Sequence, residues 1–290
     1  MSTLDQRTMS TTCILISNMS GIACASDSDH TIYQLSSKIP LAIAVNSYSP
    51  IPWDTIVNSY KRLGEPEEKE NFEDYAKDFE SFISTLPVSE DYSDLSMEDS
   101  NMIIMGYGKE DLFPRIYDTC ITLANGKFMF DSERTQFNKV SHKEYAHINL
   151  LGNFDDVYTL MWGATPDVND MLLENYVKTF NVYKERVLKR FKGTEFESYV
   201  TKKFEAYDAK EEFMVKIYEA IDRTYDGVLE GIETFSVEDM VMAAETIVNA
   251  EVRLGHLSTG CKKPLNATRE IAVITRAEGL TWIKHSLYAI

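Results

Sequence analysis

The order of strand-like and helix-like segments constrains this chain most, with strand hairpins near both ends and helices gathered before the second. Thr11 to Ile16 is apolar and rich in β-branched side chains. Asn18 to Gly21 is a turn signal, and Ile22 to Ala25 reads as the returning strand. Glu270 to Thr275, a turn at Ala277 to Gly279, and Leu280 to Lys284 repeat the pattern near the other end. Between them, Thr31 to Leu35, Leu41 to Val45, Met102 to Tyr107, Tyr117 to Leu123 and Lys127 to Phe130 read as further strands. The last two are joined by the hairpin signal Asn125-Gly126.

Helices are predicted where the apolar period lengthens. Pro52 suits the first turn of a helix through Arg62, which Gly64 and Pro66 end. Phe72, Tyr75, Ala76, Phe79, Phe82 and Ile83 recur at helical spacing. Pro87 to Ser100 is acidic and Ser-rich and reads as a loop. Helices dominate from Asp155 to about Arg223, broken near Gly163 to Pro166 and at Gly193. Ser236 with Asp239 resembles a capping box that opens a helix through Leu254. Two antiparallel sheets packed face to face, with helical layers outside, bury this string; an α+β domain on a single sheet fits it equally.

Composition narrows the function classes. The net charge of −17 argues against a nucleic-acid surface, which needs cations to displace counterions. The densest basic stretch, Lys184 to Lys192, reads as a solvated helix face. No apolar run reaches the roughly 18 to 20 residues of a membrane span, and the first ten residues lack the apolar core of a secretory signal. Cys13, Cys24, Cys120 and Cys261 are scattered, three of them in apolar runs, which reads as buried thiols in a reduced, cytoplasmic protein. The five histidines have no metal-ligand spacing; His142 and His147 could share a loop, but isolated surface histidines explain them more simply. No metal and no cofactor are expected.

Several ordered segments together resemble stand-alone bacterial proteasome-like proteins of the N-terminal-nucleophile hydrolase superfamily. Thr11-Thr12, Gly21 and Ala25-Ser26-Asp27-Ser28 look like that family's opening strand, turn glycine and Asp-Ser pair. Ile51-Pro52-Trp53-Asp54-Thr55-Ile56 looks like its Pro-Trp helix start, and Gly106-Tyr107-Gly108 with Leu112-Phe113-Pro114 like its Gly-Tyr-Gly…Phe-Pro stretch. Val237 to Asn249 and Ile271 to Lys284 resemble its closing helix and hairpin. The resemblance implies a four-layer α-β-β-α sandwich of two antiparallel sheets with helical insertions. It also implies a leader at residues 1–10 and a single domain over 11–290. Thr11 takes the nucleophile position, with its own α-amine as base, and Asp27 the position of the paired carboxylate.

The same alignment exposes three losses. The family's lysine aligns with Thr31, and Lys38 comes only beyond the following strand. A threonine cannot supply the positive charge that favours the ionised pair. The glycine that admits the oxyanion falls near Ser47, in a loop carrying Tyr48 and Pro50. Leu265-Asn266-Ala267-Thr268 stands where a Gly-Gly-Pro closes the family's site. Ser10, not glycine, precedes Thr11. The expected function is therefore a catalytically impaired proteasome-like subunit, a homo-oligomer or one bound to a protein partner, with neither nucleic acid nor membrane. The alternative is a threonine-dependent peptidase or amidase, active once Thr11 is exposed. A third reading is a module that binds a cationic or neutral ligand between its sheets.

Overall fold

The computed structural model describes residues 12–46, 51–86, 100–124, 127–152, 154, 157, 166–259 and 268–285. In chain order its elements begin with β1 (Thr12–Asn18), β2 (Gly21–Ser26), β3 (Ile32–Gln34), β4 (Leu41–Val45), α1 (Trp53–Arg62) and α2 (Phe72–Thr85). The middle of the chain forms β5 (Ser100–Gly106), β6 (Arg115–Ala124), β7 (Lys127–Phe130), β8 (Gln136–Lys139) and β9 (Ala146–Gly152). Three helices follow, α3 (Pro166–Phe191), α4 (Glu197–Glu205) and α5 (Ala209–Glu233), then α6 (Val237–Thr259), β10 (Glu270–Thr275) and β11 (Gly279–Lys284). The chain is α+β and divides into two compact units, one of residues 1–154 with 229–290 and one of 155–228.

The first unit holds two antiparallel sheets. One runs β11-β10-β2-β1-β9; the other runs β3-β4-β5-β6-β7, with β8 also paired to β6. Strand β4 explains how they are buried. Ala42 and Ala44 lie in a core shared with Leu15, Cys24 and Ala272 of the first sheet, while Leu41, Ile43 and Val45 lie in a second core with α1 and α2. Alternation puts neighbouring residues on opposite faces, so a fully apolar strand is buried on both. In α2, Phe72, Tyr75, Ala76, Phe79 and Ile83 are the buried residues, the stripe predicted from their spacing.

Against the first sheet lies α6, which contacts β1, β2 and β10 and buries Met240, Ala244 and Val248 at successive turns. Its start is a reciprocal cap: the Asp239 amide donates to Ser236 Oγ at 3.1 Å, and the Ser236 amide to Asp239 Oδ2 at 3.2 Å. Just before it, Asn18 Nδ2 donates to the Ile232 and Phe235 carbonyls, both at 2.9 Å, satisfying acceptors at the end of α5. Gly106 is required by a close approach: a Cβ there would collide with the Pro40 carbonyl, and its φ is +152°.

One reading is corrected here. His147 is neither in a loop nor on the surface; it is a β9 residue paired with Ser17, its side chain 17% exposed. The predicted loop at 87–99, the Asn125-Gly126 turn and Cys261 lie outside the described residues. Cys13, Cys24 and Cys120 are buried, as their apolar runs imply.

The second unit is helical. Its contacts are aromatic: Tyr176 stacks on Phe213 at 4.7 Å, and Phe180 meets Phe204 at 5.9 Å and Tyr207 at 4.9 Å.

Candidate functional site

Asp27 follows β2 directly and is tied to the start of β1. Its amide donates to the Thr12 carbonyl at 3.0 Å. In return, its Oδ1 accepts the Thr12 amide at 2.8 Å and the Ser28 hydroxyl at 2.9 Å. This pair continues the β1–β2 ladder one step past the Cys13–Ser26 partners. The carboxylate is thereby fixed beside the residue that follows Thr11. Thr11 itself, Met1 to Ser10, Ser47 to Pro50 and Leu265 to Ala267 lie outside the described residues.

Thr31, which the resemblance sets against a lysine, is fully buried, and its hydroxyl donates to the Ser28 carbonyl at 3.3 Å. Its amide donates to Glu270, a residue that sequence reasoning did not single out. Glu270 pairs with Ser26 across β10 and β2 and is only 2% exposed. Its Oε1 accepts the His30 amide at 3.0 Å, and Oε2 accepts those of Thr31 at 3.1 Å and Ile32 at 2.9 Å. His30 has φ +60°, a left-handed conformation, within a chain segment that offers three consecutive N–H groups to one anion. Burial raises the Glu270 pKa above the ordinary carboxylate value; the three amides act the other way. His285 Nε2 stands 3.7 Å from Oε1. Lys38 is exposed.

The loop between β2 and β3 forms one wall of a cleft of about 430 Å³. Asp27, Asp29 and His30 line it from this loop, Trp53 and Asp54 from the start of α1, and Arg269 from the residue before β10. His30 Nδ1 lies 3.1 Å from Asp54 Oδ1, joining two of these walls. The lining therefore carries three carboxylates and one guanidinium, with no lysine among the described residues. Such a surface suits a cationic or zwitterionic group. For acyl transfer it lacks an ammonium beside Asp27.

Glu270 had one available signal, a single acid opening an otherwise apolar run. Arg269 had none, since only the fold brings it to the cleft. Cys13, next to Thr12, has its Sγ 3.5 Å from that of Cys24, and burial pushes its thiol pKa well above the ordinary value. That is a packed thiol and not a nucleophile. Among the described residues no group of three or more His, Cys, Asp or Glu is arranged to hold a metal, and no helix is long and apolar enough to cross a membrane.

In comparisons with known proteins, no family model and no curated protein matches the chain.

Proposed function

We propose that this chain is a proteasome-like protein of the N-terminal-nucleophile hydrolase fold. In this reading its hydrolytic site is impaired and it acts through self-assembly or a protein partner, in the cytoplasm. One core shared by the two sheets, a second under α1 and α2, and α6 against β1, β2 and β10 support the four-layer α-β-β-α arrangement. The order of the resembling segments supports the family.

One observation carries the functional half. Where the family places a lysine beside its aspartate, Thr31 is buried and its amide is held by the buried carboxylate of Glu270. An ammonium there would stabilise an ionised nucleophile pair; a buried acid removes that assistance. Loss of an oxyanion donor alone lowers kcat by about 10²–10³.

The test is the intact mass of the native protein together with an electrophilic proteasome inhibitor. The expected result is a chain that keeps Met1 to Ser10 and remains unlabelled. Loss of those ten residues with covalent labelling of Thr11 overturns the impaired reading in favour of a threonine-dependent peptidase or amidase.

A further inference from the structure

Two charged side chains of the cleft beside Asp27 stand without a partner, and they carry opposite signs. Asp27 is engaged by the Thr12 amide and the Ser28 hydroxyl, and Asp54 by His30 Nδ1 at 3.1 Å. Asp29 and Arg269 line the same cleft, and neither forms an ion pair or a side-chain hydrogen bond among the described residues. Asp29 is half-buried, and its Oδ1 is a buried acceptor with no donor. Trp53, only 3% exposed, also lines the cleft, and its Nε1 is a buried donor with no acceptor. Buried polar atoms are seldom left unsatisfied, so these walls call for a polar guest.

The lining says what kind. Asp29 and Arg269 do not pair with each other, so a ligand that meets both carries a cation and an anion held apart. The strongest match at either end is a guanidinium against a carboxylate, two parallel N–H···O bonds in one plane. A guanidinium for Asp29 and a carboxylate for Arg269 are the two ends of arginine. The whole lining, three carboxylates against one guanidinium, is negative and favours a ligand of net positive charge, which free arginine has. Ile51, Pro52 and Trp53 give its methylene chain an apolar surface. A volume of about 430 Å³ lies toward the small end of ligand sites. An arginine inside a peptide has no α-carboxylate and leaves Arg269 unmatched.

We propose that the cleft binds a free basic amino acid of the arginine type, its guanidinium on Asp29 and its α-carboxylate on Arg269. No bond is made or broken. This rests on the reading that the cleft no longer serves acyl transfer, and it names what the cleft holds instead.

Titration calorimetry on the full chain tests it with three probes: L-arginine, agmatine, which lacks the carboxylate, and L-citrulline, whose side chain is uncharged. L-Arginine is expected to fill one site with a Kd below about 1 mM. Arg269→Ala should weaken L-arginine about tenfold or more and leave agmatine within about twofold. Asp29→Asn should weaken L-arginine by a similar factor and leave L-citrulline within about twofold. The Arg269 side chain is exposed, so its truncation keeps the fold, and circular dichroism checks Asp29→Asn. Nα-Acetyl-L-arginine keeps both ends but loses the net positive charge, and should bind about fivefold more weakly. Equal binding overturns the free amino acid in favour of a chain that ends in arginine. No saturable heat from L-arginine at about 20 mM, or variants that weaken every probe alike, overturns the site. An intact, unlabelled chain that ignores L-arginine loses this inference and keeps the impaired reading. A chain that binds L-arginine and is labelled at Thr11 loses that reading and makes the amino acid the ligand of a working site.

Discussion

The Thr31 amide donates to Glu270 Oε2 across 3.1 Å, joining the loop after β2 to a strand that begins 239 residues later. The same carboxylate takes the amides on either side, from His30 and Ile32. The short connection between β2 and β3 is therefore held by a buried anion, and Asp27 leaves that loop at its other end, hydrogen-bonded to Thr12.

Removing that carboxylate should be costly. In Glu270→Ala three amide donors lose their acceptor at once, two of them on the buried residues Thr31 and Ile32. An unsatisfied buried donor costs about 1–3 kcal/mol, so a loss of roughly 3–5 kcal/mol is expected. Glu270→Gln keeps one oxygen but turns an NH₂ toward the remaining donors, for a loss of about 1–3 kcal/mol. Urea unfolding should rank wild type above Gln above Ala. Equal stability of all three would mean that the loop is held by other contacts.

A half-buried acid contributes to the pH dependence. Burial raises the pKa of Asp118 on β6 from 3.8 to about 6, and a hydrogen bond with Asn149 opposes the rise. The folded state then binds this proton more tightly than the unfolded one. Its contribution is fully present below about pH 4 and is lost as pH climbs toward 6. Burial of Glu270 acts in the same sense, and its three amides limit the effect. Asp118→Asn should stabilise the protein at pH 7 by about 1–3 kcal/mol and leave it nearly unchanged at pH 4. Urea unfolding of both proteins at the two pH values measures this as a difference, free of other titrating groups. A variant less stable than wild type at pH 7 would show that the carboxylate is needed ionised.

What could be read from the sequence divides along physical lines. The hairpins at both ends, α1, α2 and the capped start of α6 carry strong local signals: β-branched runs, a helical apolar stripe, and Ser236 three residues before Asp239. β9 does not. His147 and Asn149 pair with Ser17 and Leu15, and Leu15 lies in the core between the sheets. The inward positions of that strand are thus partly polar, and the apolar alternation that betrays a strand is blurred. The tie between Asp27 and Thr12 follows from the β1–β2 hairpin, whose strands and turn carry local signals. Glu270 and Arg269 reach the same cleft only through the pairing of β10 with β2, a relationship no local pattern encodes.

Two glycines offer a paired test of backbone packing. A Cβ at Gly106 would strike the Pro40 carbonyl, whose oxygen also accepts the Tyr107 amide at 3.1 Å. The collision is with backbone, which cannot rotate away. Gly106→Ala should cost about 2–4 kcal/mol and lower the Tm accordingly. Gly227, inside α5, has nothing within 4 Å of an added Cβ. Alanine there should raise helix stability by about 0.5–1 kcal/mol, visible as retained helical circular dichroism at higher temperature. A harmless Gly106→Ala would mean that β4 and β5 adjust freely at Pro40.

Asn18 connects the first hairpin to the helical end of the same unit, and its chemistry separates donors from shape. Its Nδ2 serves the carbonyls of Ile232 and Phe235 at the end of α5, while Oδ1 accepts the Ser20 amide at 2.8 Å within its own turn. Asn18→Asp preserves size and the turn contact, yet leaves both carbonyls without a donor. It also sets a negative charge against the negative end of a helix dipole. Two lost acceptor contacts at about 1 kcal/mol each, plus that repulsion, predict a loss of about 2–4 kcal/mol. Asn18→Ala loses the turn contact as well but adds no charge, so it should fall between wild type and Asp. Denaturant unfolding followed by tryptophan fluorescence reads the order. An Asp variant as stable as Asn would mean that water satisfies those carbonyls, and that the first hairpin and the end of α5 are coupled by packing alone.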